Sequence, residues 1–133
     1  IKLIAIDTDG TLLNSQGEIQ ASTKEAISKA LDRGVKIVPV PAGNRGTAAC
    51  FLELLNPKVN KGQGLKELCG RLEIAPEEVM AIGDERNDLD MFAFTGTSVA
   101  MGNGNDLVKQ AADYVTSSND EDGIAQALEK FVF

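Results

Sequence analysis

Apolar residues fall in short blocks separated by polar, glycine-bearing stretches, and the spacing within each block separates strands from helices. Ile1–Ile6 reads Ile-Lys-Leu-Ile-Ala-Ile and stops abruptly at Asp7, the pattern of a buried strand that ends at a functional loop. Ser22 and Glu25 then form a capping-box pattern, and Thr23, Ile27, Ala30 and Leu31 share one helical face until Gly34. Val35–Val40 reads as a second strand. Ala48, Phe51, Leu52 and Leu55 mark a helix stopped by Pro57, and Leu65, Leu68, Cys69 and Leu72 mark another. Val79–Ile82 is a third strand, and Leu89, Phe92 and Ala93 line a short helix. Ser98–Met101 is a fourth strand; Leu107, Val108, Ala111 and Ala112 make a helix. Tyr114–Thr116 is a last short strand, and Ile124, Ala127, Leu128 and Phe131 the closing helix.

Strands alternating with helices over short links imply a parallel sheet covered on both faces and joined by right-handed crossovers. The expected architecture is an α/β/α Rossmann-like sandwich, and in such sheets ligands gather at the carboxyl ends of the strands. Pro39 and Pro41 cannot donate to a neighbouring strand, which puts strand two at a sheet edge and gives the order 2-1-3-4-5. An exposed edge invites pairing, so a monomer or a weak homodimer is expected.

A chain of 133 residues makes one domain with one core. Its net charge of -7 repels nucleic acid and anionic lipid, so neither is expected as a partner. With no histidine, serine–histidine triads, histidine-ligated zinc and imidazole acid–base catalysis are excluded by count. Cys50 and Cys69 lie in apolar helical patterns without metal-ligand spacing and read as buried thiols in a reducing cytoplasm. No apolar run reaches the roughly twenty residues of a membrane span, which again points to a cytoplasmic location.

Two acidic loops follow matching strands. The first is Asp7-Thr8-Asp9-Gly10-Thr11, the second Gly83-Asp84-Glu85-Arg86-Asn87-Asp88. A lone Asp-x-Asp-Gly is more often a turn than a site, but two such loops converging at one sheet end change that balance. Asp7, Asp84 and Asp88 could surround a hard cation, with a backbone carbonyl and waters completing the octahedron that magnesium prefers. Lys61, just before a helix, could neutralise a phosphate oxygen, although a lone lysine is usually solvated.

These motifs, in this order, resemble the haloacid dehalogenase-like phosphatase superfamily over nearly the whole chain. Asp7-Thr8-Asp9-Gly10-Thr11-Leu12-Leu13 is similar to its first motif, Lys61 to its third and Gly83–Asp88 to its fourth. Val99–Asn103 and Asp113–Thr116 are similar to later segments of the branch that dephosphorylates sugar phosphates and related metabolites. The resemblance implies a magnesium-dependent phosphatase acting on phosphomonoesters of small metabolites through an aspartyl-phosphate intermediate. It implies Asp7 as nucleophile, Asp9 as acid and then base, and Lys61 as the group holding Asp7 and the phosphate together. Asp7, the Asp9 carbonyl, Asp84 and Asp88 would be metal ligands, and Thr8, Ala42, Gly43, Lys61 and Asn87 would bind phosphate.

Two departures qualify this expectation. The second motif carries Ala42-Gly43 where the family has a hydroxyl residue before glycine. Losing one donor at a preorganised anion site costs on the order of a hundredfold in rate, so weakened turnover is expected. The substrate-covering cap domain of this branch is also absent between about residues 45 and 60, leaving a single core domain over 1–133 with little water exclusion. The missing start methionine and the abrupt junction point to an excised or engineered core, with a naturally capless enzyme as the other origin. The competing function is a non-catalytic core that binds magnesium and phosphate without efficient turnover. A receiver-like signalling domain shares the aspartate, magnesium and lysine but places its lysine last, whereas here Lys61 precedes the second acidic cluster.

Overall fold

The computed structural model describes residues 1–40 and 61–133. Ala42, Gly43, Cys50, the expected helix before Pro57 and the junction near 45–60 all lie outside the described residues.

The centre of the fold is β1 (Leu3–Asp7), buried at all five positions because strands flank it on both sides. On one side it pairs in parallel with β2 (Lys36–Val40), on the other with β3 (Val79–Gly83). β4 (Thr97–Ala100) and β5 (Tyr114–Val115) continue the sheet, giving the expected order β2-β1-β3-β4-β5. Pro39 stands opposite Ile6 in the register, and among the described residues β2 forms the sheet edge.

Alternate side chains of each strand enter opposite layers. Leu3 and Ala5 face α2 (Lys61–Leu72) and α3 (Leu89–Phe94) through Leu65, Leu68, Cys69, Met91 and Phe92, while α4 (Asp106–Ala111) adds Val108. Ile4, Ile6, Met80 and Ile82 face α1 (Ala21–Asp32) and α5 (Gly123–Phe131) through Ala26, Ala30, Ile124, Ala127 and Leu128. Each fully buried aliphatic side chain contributes about 1.5–3 kcal/mol, so the two layers hold the strands in register from both faces. No helix among the described residues is long and apolar enough to cross a membrane.

Several local expectations need correction. β1 starts at Leu3, because Ile1 is exposed and Lys2 turns outward to an ion pair with Glu78. The capping box at Ser22 does not form: the first turn of α1 follows Gln20, and the Ser22 hydroxyl donates instead to Asp122 at 2.5 Å. Leu31 is 53% and Leu107 46% exposed, and Leu72 also faces out, since one apolar stripe needs only the inner residues of each short helix. In α3 Phe92 is buried and Leu89 packs on the core as expected, but Met91 is buried where Ala93, which is exposed, was expected. Periodicity over six residues cannot fix a helical face against a neighbour that selects another.

Candidate active site

The strand that is most completely buried delivers a carboxylate to the carboxyl edge of the sheet. Asp7, the last residue of β1, is almost wholly buried. A five-residue turn, Thr8–Leu12, follows and reverses at Gly10, whose φ of +79° suits glycine. A Cβ at Gly10 would lie 2.2 Å from the Asp84 carboxylate, so the missing side chain also lets the two loops meet.

β3 delivers the second pair. Asp84 follows the strand directly, and Asp88 closes the short turn Arg86–Asp88 with no exposed surface. Its Oδ2 accepts the N–H groups of Asp84 and Glu85 at 3.0 and 3.1 Å, which orients the carboxylate toward the site. Gly83 packs against that carboxylate, since a Cβ there would sit 2.4 Å from it. The Thr11 hydroxyl donates to Asp84 Oδ1 at 2.8 Å and ties the first loop to the second.

Lys61 arrives at the start of α2. Its ammonium donates to Asp7 Oδ1 at 2.5 Å and to Asp88 Oδ1 at 2.8 Å, with little side-chain exposure. The adjacent Gly62 permits this approach: a Cβ there would lie 2.4 Å from the Asp90 carbonyl oxygen of α3.

Among the described residues, Asp7, Asp84 and Asp88 offer carboxylate oxygens that lie within 4.8 Å of one another. Oxygens around one ion bound at about 2.1 Å lie about 3 to 4.2 Å apart, so this group is of the size that could hold a divalent cation. One ammonium against three buried carboxylates leaves a deficit of positive charge. Burial, the charge of Asp88 and a hydrogen bond with Asp84 push the Asp7 carboxyl up to about 8 against the opposing pull of Lys61. Burial lowers the Lys61 ammonium, but the charges of Asp88 and Asp7 outweigh it and hold the group above its ordinary value. A divalent cation would relieve what a proton on Asp7 otherwise must.

The remaining expected residues sit around this centre. Asp9 is exposed on the first turn, Thr8 is half-buried beside Asp7, and Asn87 is exposed next to Asp88. Thr11 is a residue that the motif reading quoted without giving it work; a hydroxyl two positions after the second aspartate was the available signal.

A sequence model of haloacid dehalogenase-like hydrolases matches residues 4–40 and 46–128. The chain belongs to that family. Relatives include a 5-amino-6-(5-phospho-D-ribitylamino)uracil phosphatase of Bacillus subtilis, 42% identical over 60% of this chain and 30% of that protein. A phosphoglycolate phosphatase of Methanobrevibacter smithii is 44% identical over 61% of the chain and 35% of that protein. A chloroplastic protein of Arabidopsis thaliana, named as the endoribonuclease YBEY, is 42% identical over 62% of the chain but only 14% of its own length. The matched stretches thus span 35% or less of these relatives. In fold, a haloacid dehalogenase-like hydrolase from Bacteroides thetaiotaomicron aligns with a TM-score of 0.85 at 21% identity, covering 97% of this chain and 98% of that one.

Proposed function

We propose that this domain hydrolyses phosphomonoesters of small metabolites, with magnesium, through an aspartyl phosphate on Asp7. The observation that carries this reading is the buried group of Asp7, Asp84 and Asp88 with Lys61 bonded to two of the three.

Asp7, Asp84, Asp88 and the Asp9 carbonyl would hold magnesium, which when bound supplies positive charge to the phosphoryl oxygens and to the carboxylates around them. A carboxylate oxygen of Asp7 attacks phosphorus, and the bond from phosphorus to the ester oxygen breaks. Asp9 gives its proton to that departing oxygen. Asp9 then accepts a proton from a water molecule that attacks the same phosphorus. The bond between phosphorus and the Asp7 oxygen breaks, releasing orthophosphate and restoring both carboxyl groups. Lys61 neutralises the approach of an anionic substrate to an anionic nucleophile, and Thr8 and Asn87 would contact the phosphate, with Ala42 and Gly43, outside the described residues, as the remaining phosphate-binding residues of the motif reading.

Only residues 41–60 separate β2 from α2, and we read the chain as a core without a substrate-covering domain. Recognition then falls on the phosphate more than on the leaving group. Phosphate release from p-nitrophenyl phosphate tests the reading. Wild type is expected to turn over with magnesium and to stop with EDTA, and Asp7→Asn to be inactive. Equal, metal-independent rates for the two proteins would instead leave a core that binds without turnover.

A further inference from the structure

Resting on that reading, the hydrogen bonds around the first turn carry one step more. Asp9 has to present its carboxyl to the leaving oxygen, yet it stands one residue before Gly10, the most freely rotating backbone position of the turn. Downstream, the Thr11 hydroxyl is tied to Asp84, so the chain after Gly10 is fixed. The orientation of Gly10 itself is set from a different part of the molecule. The Asn103 side-chain amide donates to the Gly10 carbonyl at 2.8 Å across 93 residues of sequence. The same amide accepts the Asn119 N–H at 2.9 Å, and the Asn119 side chain donates to the Leu13 carbonyl at 3.0 Å. Both ends of the Asn103 amide are therefore used, which leaves it one orientation.

The loop that carries Asn103 is anchored to the site. Gly104 N–H donates to the Met101 carbonyl, and Asn105 N–H to the Asp84 carbonyl at 3.3 Å. Gly102 packs closely on the Thr116 carbonyl, where a Cβ would come within 2.9 Å. Asn103 and Asn119 thus hold the turn at its middle, Gly10, and just past its end, Leu13, from a rigid support.

We propose that Asn103, braced by Asn119, is a positioning residue that fixes the turn so that Asp9 delivers its proton to the leaving group. Asn103 is exposed, and an exposed hydrogen bond adds little to stability, so its loss should show in chemistry before it shows in folding.

The experiment compares two esters in wild type, Asn103→Ala, Asn103→Asp, Asn119→Ala and Asp9→Asn. The phenolate of p-nitrophenyl phosphate leaves without a proton, whereas the alkoxide of glycerol 3-phosphate needs one. For both Asn103 variants, kcat/KM on glycerol 3-phosphate should fall about 100-fold and on p-nitrophenyl phosphate less than about fivefold, because kcat/KM reports the step that expels the leaving group, where only the acid role of Asp9 acts, and not the water step common to both esters. Melting temperature should stay within a few degrees of wild type, and Asn119→Ala should show a weaker version of the same split. Equal loss of kcat/KM on both esters, or no loss on either, overturns the proposal. If Asp9→Asn separates the esters and the Asn103 variants do not, the positioning role alone fails. If Asp9→Asn fails to separate them, or wild type hydrolyses neither, the reading of Asp9 fails and takes this inference with it.

Discussion

Three carboxylates and one ammonium buried together make a strained electrostatic arrangement, and its relief should be measurable. Asp7 has its pKa raised from 3.8 to about 8, first by burial and then by the charge of Asp88. The folded protein therefore binds this proton more tightly than the unfolded chain does. The stabilisation it gives is complete below about pH 4 and is lost as pH rises through 8. Without divalent ions, the melting temperature should fall between pH 5 and 8, with Asp7→Asn flattening that slope. Magnesium should raise the melting temperature more at pH 8 than at pH 5. A wild-type slope in Asp7→Asn would place the titration elsewhere. Thr11 offers a second test at this scale, because its buried hydroxyl holds Asp84. Thr11→Val should cost about 1–3 kcal/mol for the unpaired carboxylate oxygen. It should also weaken magnesium binding about 10–100-fold by calorimetry, while Thr11→Ser should recover most of both. The acids were legible in the sequence because charge at the end of an apolar strand stands out, and Lys61 only through its place in the order of the motifs. Asn103 and Asn119 were not, since hydrogen bonds across 93 and 106 residues leave no local pattern.

At the level of elements, α2 shows how one glycine sets a site and another does not. Gly62 lies against the Asp90 backbone, whereas Gly70, in the same helix and exposed, meets nothing within 4 Å. Gly62→Ala should destabilise the fold by about 1–3 kcal/mol through overpacking, and should lower phosphate release by moving Lys61 off Asp7. Gly70→Ala should stabilise it by about 0.5–1 kcal/mol through helix propensity alone, with unchanged turnover. Thermal unfolding and initial rates on the two variants read both effects. The same contrast explains what pattern reading could reach. β1, apolar up to Asp7, and β3 announced themselves, as did the amphipathic α5, whose Ile124, Ala127 and Leu128 are all buried. The place of Met91 on α3 and the cap of α1 did not, because Met91 and Ser22 take partners that only the assembled layers supply.

For the molecule as a whole, the order β2-β1-β3-β4-β5 brings the ends of β1 and β3 side by side, and the acids follow from that adjacency. Topology was legible because parallel strands with right-handed crossovers and a proline-bearing edge leave few alternatives. The charge of -7 makes local neutralisation a condition of binding any phosphate ester, which is why the cation and Lys61 stand at the centre of the account. That account rests on a covalent bond between Asp7 and phosphorus, and the bond can be caught directly. Protein quenched during turnover of p-nitrophenyl phosphate with magnesium, reduced with borohydride and digested, should yield homoserine at position 7 by mass spectrometry. Aspartate unchanged at position 7 in a sample that was releasing phosphate when quenched, or homoserine at a different position, would contradict it.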